Sequence, residues 1–195
     1  VRDGQQRFDA ACARCHSRGS QRGVAARYPA WDTELGKPVT LAARINLCQV
    51  RHVKGTPFAP ESDPLLGLEA FIAHQSRGMP LQAPTDARLA PFLQQGQRLF
   101  NQRIGQLDLS CAQCHEQLAG RRLGGSTIPQ AHPTGYPLYR LEWQAVGSLQ
   151  RRLRQCMGGV RAEPYAFGSD ELTALELYLM QRAAGMPLET PAVRP

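Results

Sequence analysis

Apolar and polar residues follow a helical period in two pairs of segments, and each pair has one member in each half of the chain. The first pair runs from a Ser-Asp step to a Gly-Met-Pro turn, which predicts helices over Ser62–Arg77 and Ser169–Ala184. Serine is a favoured N-cap, and glycine and proline end helices, so both boundaries have a physical reason.

The second pair of predicted helices begins after a hydroxyl residue that can serve as N-cap, Thr40 in one segment and Ser148 in the other. Apolar residues in each helix share a face with a cysteine, because residues three or four apart lie on the same side. The two faces consist of Leu41, Ile45 and Cys48, and of Leu149, Leu153 and Cys156. Both cysteines are therefore expected to point inward.

Shorter helices are predicted over Gly4–Ala13 and Leu89–Phe100. A long loop rich in glycine and proline follows each of them, Ser17–Val39 in the first half and Gly120–Pro137 in the second. No segment alternates apolar and polar residues convincingly enough to predict a strand. The expected fold class is all-α, with long loops between short helices.

The two halves also align with each other, which predicts an internal duplication. The Ser-Asp steps and the Gly-Met-Pro-Leu turns recur 107 positions apart, whereas Tyr28-Pro29, Arg44 and Cys48 recur 108 positions later as Tyr136-Pro137, Arg152 and Cys156. Pro84 and Pro91 bracket a polar stretch between the halves. We therefore expect two related domains, residues 1–84 and 85–195.

Each half contains a Cys-x-x-Cys-His box, which is typical of covalent haem attachment. Two thiols at this spacing can bond to the vinyl groups of one haem, and the adjacent histidine can bind its iron. The boxes consist of Cys12, Cys15 and His16, and of Cys111, Cys114 and His115. The sequence predicts two haem c groups in two cytochrome c-like domains. Zinc knuckles and redox dithiols are the alternatives, but they leave both histidines unexplained.

The second axial ligand of each iron has two candidates. Methionine beside a proline is the usual choice in small electron carriers, and Met79 and Met186 stand in such turns. The other candidates are Cys48 and Cys156, which we favour because an unpaired thiol outside the cytoplasm tends to oxidise. A disulfide between these two cysteines is a further alternative.

The arginines predict a difference between the halves. Arg44 and Arg152 each precede a third cysteine by four residues, so each guanidinium can lie beside that thiol and hold a haem propionate or an anionic substrate. Of these two arginines, only Arg152 belongs to a cationic cluster. The cluster consists of Arg151, Arg152, Arg154 and Arg161. Gly158-Gly159 removes side-chain bulk after Cys156. We expect the second site to be open and to attract anions, with Cys156, Arg152 and Arg161 as its candidate catalytic residues.

Composition and charge limit the cellular locations and the binding partners that we expect for this protein. The formal net charge is +7, but no nucleic-acid-binding module is recognisable, and no apolar run is long enough for a transmembrane helix. Haem attachment to cysteines takes place outside the cytoplasm, so the periplasm is the expected location. The first box lies so close to the start that the chain resembles a processed form.

The run from Arg151 to Pro164, the two boxes and the third cysteine after each box together resemble the dihaem SoxA subunits of the SoxAX cytochromes. The resemblance covers almost the whole chain and is most specific from Leu107 to Pro195. Members of the family usually have a longer segment before the first box than the 11 residues found here.

The resemblance implies His/Cys ligation of both haems, by His16 with Cys48 and by His115 with Cys156. It implies an L-cysteine S-thiosulfotransferase, in which thiosulfate is joined oxidatively to a cysteine of the SoxYZ carrier protein. The two electrons pass to SoxX, a monohaem cytochrome that forms a heterodimer with SoxA. In this family the counterpart of Cys156 is the reactive sulfur and can be found as a persulfide, and Arg152 matches an anion-holding position.

Three other functions remain open at this point. A dihaem electron carrier would use methionine ligands, and a tetrathionate-forming thiosulfate dehydrogenase commonly combines one His/Cys haem with one methionine-ligated haem. The matched cysteines Cys48 and Cys156 argue against both. A dihaem peroxidase would need an open iron position, which rapid peroxide turnover would reveal.

Overall fold

A computed structural model describes residues 1–195, with the side chain of Arg18 left out. Six α-helices account for most of its regular structure. They are α1 (Arg2–Ala11), α2 (Leu41–Cys48), α3 (Asp63–His74), α4 (Ala90–Asn101), α5 (Leu149–Gly159) and α6 (Asp170–Arg182). The helical segments predicted from the sequence are thus confirmed, with ends that shift by a few residues.

The expectation of an all-α fold is wrong in one respect, because seven short strands lie in the loops. They are β1 (Ala30–Asp32), β2 (Lys37–Val39), β3 (Arg122–Leu123), β4 (Ser126–Thr127), β5 (Leu138–Arg140), β6 (Ala145–Gly147) and β7 (Val193–Arg194). Strands of two or three residues are too short for an apolar–polar alternation to be visible in the sequence. Their pairing is held by backbone hydrogen bonds, which carry no sequence signature.

The strands form three small sheets. β1 pairs with β2, and β3 pairs with β4, both antiparallel. The third sheet has the order β6-β5-β7, with β7 parallel to β5 at its edge. The hairpins β1–β2 and β5–β6 share one register, because Asp32 pairs with Lys37 as Arg140 pairs with Ala145, 108 positions later. Each of these hairpins leads directly into a cysteine-bearing helix.

The N-caps of those helices are confirmed. The Thr40 hydroxyl accepts a hydrogen bond from the Ala43 amide at 3.1 Å, and the Ser148 hydroxyl accepts one from the Arg151 amide at the same distance. Both bonds satisfy an amide that the first turn of a helix leaves without a partner. The caps fix where α2 and α5 begin, and therefore where Cys48 and Cys156 fall.

Glycines allow a close helix crossing in each half. α1 packs on α3, and α4 packs on α6. A methyl group on Gly4 would overlap the carbonyl group of Gly67, and one on Gly96 would overlap the carbonyl group of Ala174. The aromatic rings one turn later, Phe8 and Phe100, are each only 1% exposed. The backbones approach because glycine has no side chain at the crossing.

The two Gly-Met-Pro-Leu turns pair with each other at the junction between the halves. Pro80 and Pro187 form an antiparallel bridge. Four backbone hydrogen bonds of 2.8–2.9 Å connect the turns, donated by the amides of Gly78, Leu81, Gly185 and Leu188. Leu188 and Ala183 also belong to the apolar core built around Phe8 and Phe71. The end of the second half therefore packs into the core of the first.

No helix in the described part of the chain is both long enough and apolar enough to cross a membrane.

Candidate haem sites

The first box lies where α1 ends. The Cys12 amide donates to the Phe8 carbonyl at 2.8 Å, and the His16 amide donates to the Cys12 carbonyl at 3.0 Å. Cys12, His16 and Cys48 all line one cavity of about 510 Å³. Its apolar walls include Phe8, Leu41, Ile45, Leu68 and Ile72.

The first cavity distinguishes the two candidate ligands. Cys48 lines it together with His16, whereas Met79 is absent from its described lining. Met79 lies instead in the paired turns at the junction, where its side chain borders Gly23. A thiol and an imidazole that face one apolar cavity fit a haem held from both sides.

Two reciprocal hydrogen bonds between Ser110 and Gln113 cap the start of the segment that contains the second box. The Ser110 hydroxyl accepts from the Gln113 amide at 3.2 Å, and the Gln113 side-chain carbonyl accepts from the Ser110 amide at 2.8 Å. His115 Nδ1 lies 2.7 Å from the Pro129 carbonyl oxygen, to which it can donate. Such a bond fixes the ring and leaves Nε2 for a metal. Burial is the main cause that lowers the pKa of His115.

Cys156 lies close to the thiols of the second box. Burial raises the pKa of Cys111 to about 11, and the charge of Cys156 adds to that effect. Burial also raises the pKa of Cys156, while Arg152 and Arg140 act in the opposite direction. The residues predicted to hold the second haem, Cys111, Cys114, His115 and Cys156, are therefore brought together in the half where the sequence predicts them.

The arrangement gives no support to the zinc or disulfide alternatives. Among the described side chains, no group of three or more His, Cys, Asp or Glu residues is placed to hold a metal ion. All six cysteines are unpaired, including Cys48 and Cys156. The donor set fits haem c, because in each half two thiols and an imidazole stand in a Cys-x-x-Cys-His box, and in the first half this box borders an apolar cavity of about 510 Å³.

The arginine beside the first cysteine is neutralised. Arg44 Nη1 lies 2.7 Å from Asp32 Oδ2, and Arg51 Nη1 lies 3.0 Å from the same oxygen. The Asp32 side chain is only 3% exposed, and its Oδ1 also accepts from the Leu35 amide. The hydrogen bond from Arg51 is the largest cause that holds the pKa of Asp32 well below its usual range, so Asp32 is a carboxylate at neutral pH.

At the second cysteine no carboxylate stands at the position of Asp32; the nearby one is Glu142, the counterpart of Glu34, and it pairs with Arg140. Arg152, the counterpart of Arg44, has no acidic partner within ion-pair distance among the described side chains; its Nη1 donates instead to Gln155 Oε1 at 2.8 Å. Arg140 stands at the β5 position that Asp32 occupies in β1. Two arginines, Arg140 and Arg152, thus act on Cys156, whereas the two arginines near Cys48 share the buried carboxylate of Asp32.

The other arginines of the predicted cluster have separate partners. Arg151 stacks on the Trp143 ring at 4.4 Å. Arg154 donates to the Tyr165 carbonyl and stacks on Phe167. Arg161 is exposed and adopts a positive φ of 58°. Only Arg152 of the cluster influences the pKa of Cys156, so a role for Arg161 stays a prediction.

Gly158 and Gly159 leave space beside Cys156. A side chain added at either position would meet nothing within 4 Å. Arg51, the counterpart of Gly159 in the first half, fills that position and pairs with Asp32 and Glu34. The second half therefore lacks, at this one position, the side chain that Arg51 supplies in the first.

Sequence reasoning missed Arg140 and Tyr136 as parts of the second site. Tyr136 interacts with Arg152, Arg140 and Cys156, although burial is the largest cause that raises its pKa. The repeat contained the signal, since the 108-residue offset that matches Tyr28 with Tyr136 also matches Asp32 with Arg140. Comparing the unmatched positions would have identified the change of charge.

A comparison with models of protein families identifies the family of this chain. The family model for the SoxA/TsdA cytochrome c domain matches residues 3–81 and 95–188. The chain belongs to this family. The resemblance deduced from the boxes and the third cysteines is thereby confirmed, and a cytochrome c domain implies covalently bound haem c.

Individual relatives carry the SoxA name. The chain is 37% identical over 188 residues to the L-cysteine S-thiosulfotransferase subunit SoxA of Pseudaminobacter salicylatoxidans and 34% identical over 186 residues to that of Rhodovulum sulfidophilum. Each alignment covers 94% of this chain but 65% of the relative, so the chain spans just under two thirds of their length.

The fold has a close counterpart among solved structures. The chain superimposes on the crystal structure of SoxXA from P. pantotrophus with a TM-score of 0.93 and 31% sequence identity. The match covers 99% of this chain and 77% of the other. The cytochrome c domain fold of the family therefore extends over nearly every residue described above.

Proposed function

We propose that the chain catalyses the oxidative coupling of thiosulfate to a cysteine of a SoxYZ-type carrier, as an L-cysteine S-thiosulfotransferase subunit. The observation that carries this proposal is the setting of Cys156. Its sulfur lies near the second Cys-x-x-Cys-His box and near Arg152 and Arg140. A thiol between a redox centre and two cations suits an anionic sulfur substrate.

The overall reaction requires an electron acceptor. Thiosulfate and the carrier thiol form a sulfur–sulfur bond, and one proton and two electrons leave. A haem bound beside Cys156 supplies an iron that can accept electrons singly. We assign the onward acceptor to a monohaem c-type cytochrome of the SoxX kind, a role supported by the similarity of the chain to the crystal structure of SoxXA.

Cys156 is proposed to take part in two steps. Its thiolate first bonds to the outer sulfur of thiosulfate, with loss of two electrons. The carrier thiolate then attacks that outer sulfur and displaces the Cys156 thiolate, which completes the new bond on the carrier. Arg152 and Arg161 are the proposed holders of the sulfonate group, because guanidinium groups bind oxyanions through two parallel hydrogen bonds.

We further propose that each half holds one haem c. Cys12 and Cys15 attach the first and Cys111 and Cys114 the second, with His16/Cys48 and His115/Cys156 as the axial pairs. The first cavity and the anchored His115 ring support this assignment.

The same reasoning supports the duplicated domains, residues 1–84 and 85–195. Both halves follow the order of helix, box, hairpin, cysteine-bearing helix and final helix. The proposed location is the periplasm, where the carrier and the monohaem partner of such a system are expected.

The identity of the product tests the proposed function. The holo-chain, assembled with a monohaem cytochrome partner, is incubated with thiosulfate, a SoxYZ carrier and an oxidised cytochrome acceptor. We expect the mass of the carrier to rise by one thiosulfate group, bonded through sulfur to its cysteine. Tetrathionate formed equally fast without the carrier would contradict the proposal and support a thiosulfate dehydrogenase.

A further inference from the structure

Three carboxyl groups from three different segments meet near the first turn of α5. Glu61, in the loop before α3, accepts a hydrogen bond from the Ser148 amide at 3.3 Å. Glu176 on α6 accepts one from Gln150 Nε2 at 3.3 Å. Both of these glutamates act on a third, Glu69 on α3. Glu61, Glu69 and Glu176 therefore form one group of acids between the two halves, which we call the junction cluster.

The packing of the two final helices brings Glu69 and Glu176 to facing sides. These glutamates are counterparts at the 107-residue offset, as are the prolines that bridge the two Gly-Met-Pro turns. Contacts between counterpart residues are those of an approximate twofold axis. Ala73 lies one turn after Glu69, and Ala183 lies two turns after Glu176, and both alanines belong to the same apolar core. The faces that carry the two glutamates thus meet.

Glu69 lacks the hydrogen-bond donor that its counterpart has. Its Oε2 is buried with no partner among the described residues. Gln150, which donates to Glu176, is only 8% exposed, but 108 positions earlier Ala42 has no side-chain donor. A buried carboxylate oxygen without a donor is costly, whereas a protonated carboxyl group can donate its own proton to a neighbouring carboxylate. This setting favours the neutral acid at Glu69.

No cation compensates the junction cluster within the described part of the chain. Glu176 and Glu61 are the charged groups that act on Glu69, and burial is the largest cause that raises its pKa, to about 8. Burial also raises the pKa of Glu176 to about 7, against the hydrogen bond from Gln150. On the surrounding elements, Arg7 pairs with Asp3, Lys37 with Asp170, Arg44 with Asp32, Arg151 with the Trp143 ring, and Arg182 with Glu116.

We propose that the junction cluster is a proton-operated switch between the two halves. While Glu69 and Glu176 share one proton, the halves stay closed at the first turn of α5. When that proton leaves for the solvent, two carboxylates face each other in a buried place, which is unfavourable, and this contact opens. Because α5 also carries Cys156, the switch lets pH act on the helix of the proposed reactive site.

The direction of the pH effect follows from the proton count. Opening exposes Glu69 to water and returns its pKa toward the ordinary value of 4.5, whereas the closed junction holds it at about 8. The closed form therefore binds more protons between these two values. Closure is strongest at the acidic end and weakens as the pH rises, by up to about tenfold in the opening constant for each pH unit.

Backbone hydrogen exchange of the holo-chain tests the switch. It is followed by mass spectrometry and corrected for the intrinsic effect of pH on exchange. Peptides with the Ser148 and Arg151 amides report on the junction, and α4 is the internal reference because it contributes no residue to the cluster. Between about pH 6 and about pH 8 we expect protection at the junction to fall roughly 10- to 100-fold in the wild type.

Glu69→Gln keeps the shape of the side chain but cannot ionise, so it should retain the acidic level of protection at both pH values. Glu176→Gln serves if E69Q fails to fold, and it should reduce the pH dependence because the second carboxylate is gone. Glu171→Gln changes a carboxylate on the same helix outside the cluster and should behave as the wild type.

Equal pH dependence in the wild type and E69Q would overturn the proposal. So would an equal loss of protection in α4, which would show that the whole chain responds rather than the junction. Protection at about pH 8 that returns when calcium chloride is added would assign the cluster to a bound cation, which also overturns it. The exchange of amides does not depend on the coupling reaction, so failure of the proposed function leaves this test unaffected.

Discussion

Cys48 and Cys156 occupy the same place in two helices that begin from hairpins of the same register, yet the charge around them differs. Asp32 lies between Arg44 and Arg51 in the first half. In the second half its position is taken by Arg140, and that of Arg51 by Gly159. Two changes at equivalent positions thus turn a set of charges that balances, Arg44 and Arg51 with Asp32 and Glu34, into one with an excess positive charge, Arg152 and Arg140 with Glu142.

This difference shows that ligand geometry alone does not make a reactive site. The first half brings a histidine and a cysteine to one cavity, and the second half places Cys156 near the thiols of its own box, so both halves offer the residues needed for ligation. Only the second half has, beside its third cysteine, an arginine without an acidic partner among the described side chains, which is Arg152. A positive potential at a partly enclosed site raises the local concentration of anionic substrates.

The largest predicted effect is the loss of activity when the third cysteine of one half is replaced. The two halves should differ most in this experiment. Cys156→Ala should lower the rate of carrier modification at least about 1000-fold, because it removes the proposed nucleophile. Cys48→Ala should retain most of the activity. Rates are measured with saturating thiosulfate, carrier and cytochrome acceptor, and haem content is checked by mass spectrometry. Equal losses in the two variants would show that the halves are not functionally different.

Asp32→Ala should destabilise the first half strongly. The change leaves two guanidinium groups facing each other without their buried anion, which typically costs about 3–5 kcal/mol. Denaturant unfolding of the holo-chain measures the loss. Glu34→Ala removes an exposed partner of Arg51 and should cost less than about 1 kcal/mol.

The acid response of the same variant follows from the lowered pKa of Asp32. This carboxylate stabilises the folded chain above its unfolded-state pKa of about 3.9, and the contribution is lost as the pH falls toward its lower folded-state pKa. The stability gap between wild type and D32A should therefore be full at neutral pH and narrow only under acidic conditions. A gap that stays constant down to strongly acidic pH would contradict this account.

Substitution of the glycines at the two helix crossings, Gly4 and Gly96, tests a feature that the two halves share. Gly4→Ala and Gly96→Ala should each destabilise the chain by about 1–3 kcal/mol, because the methyl group overlaps a backbone carbonyl that can retreat only if the helices separate. Thermal unfolding measures both variants. Gly19→Ala, at an exposed position with open space around it, is a control for the loss of glycine. A negligible cost at either crossing would mean that the helix pair is not closely packed there.

Another predicted effect depends on pH and concerns Glu69 on α3, which interacts with Glu176 on α6. Burial raises the pKa of Glu69 to about 8, and the charge of Glu176 adds to it. Its Oε2 is buried without a hydrogen-bond partner among the described residues. A carboxyl group that is protonated in the folded chain stabilises it at low pH and loses that contribution as the pH rises from about 4.5 toward 8.

Glu69→Gln should therefore stabilise the chain by more than about 1 kcal/mol near pH 8 and have little effect near pH 5, since each unit of pKa shift corresponds to about 1.4 kcal/mol. Unfolding curves at both pH values measure the change. Glu171→Gln changes a carboxylate that is not in this buried group and is the control. A stabilisation that is equal at both pH values would show that the Glu69 carboxyl does not change its protonation in this range.

Much of this molecule could be predicted from the sequence because its signals are local. The boxes, the hydroxyl caps and the apolar helix faces depend on residues only a few positions apart, and Thr40 and Ser148 act as caps as predicted. The family was recognised from the same local motifs. The strands escaped prediction because two or three residues are too few to show a period.

The second site was only partly predictable because its charges come from a distant segment. Arg152 and Cys156 share a helix, so their proximity followed from their spacing. Arg140 reaches them through the pairing of β5 with β6, and a short backbone pairing leaves no pattern in the side chains. Arg151 and Arg154 belong to the same predicted cluster, but each stacks on an aromatic ring, Trp143 and Phe167 respectively.

The central claim is that the arginine beside Cys156 is free to bind an anion and the arginine beside Cys48 is not. The most direct test is the thiosulfate affinity of two matched variants, Arg44→Gln and Arg152→Gln, measured by titration of the holo-chain. The account predicts a loss of roughly 10- to 100-fold in R152Q and no change in R44Q, because Asp32 already occupies Arg44. An equal loss in both variants, or a loss confined to R44Q, would contradict it.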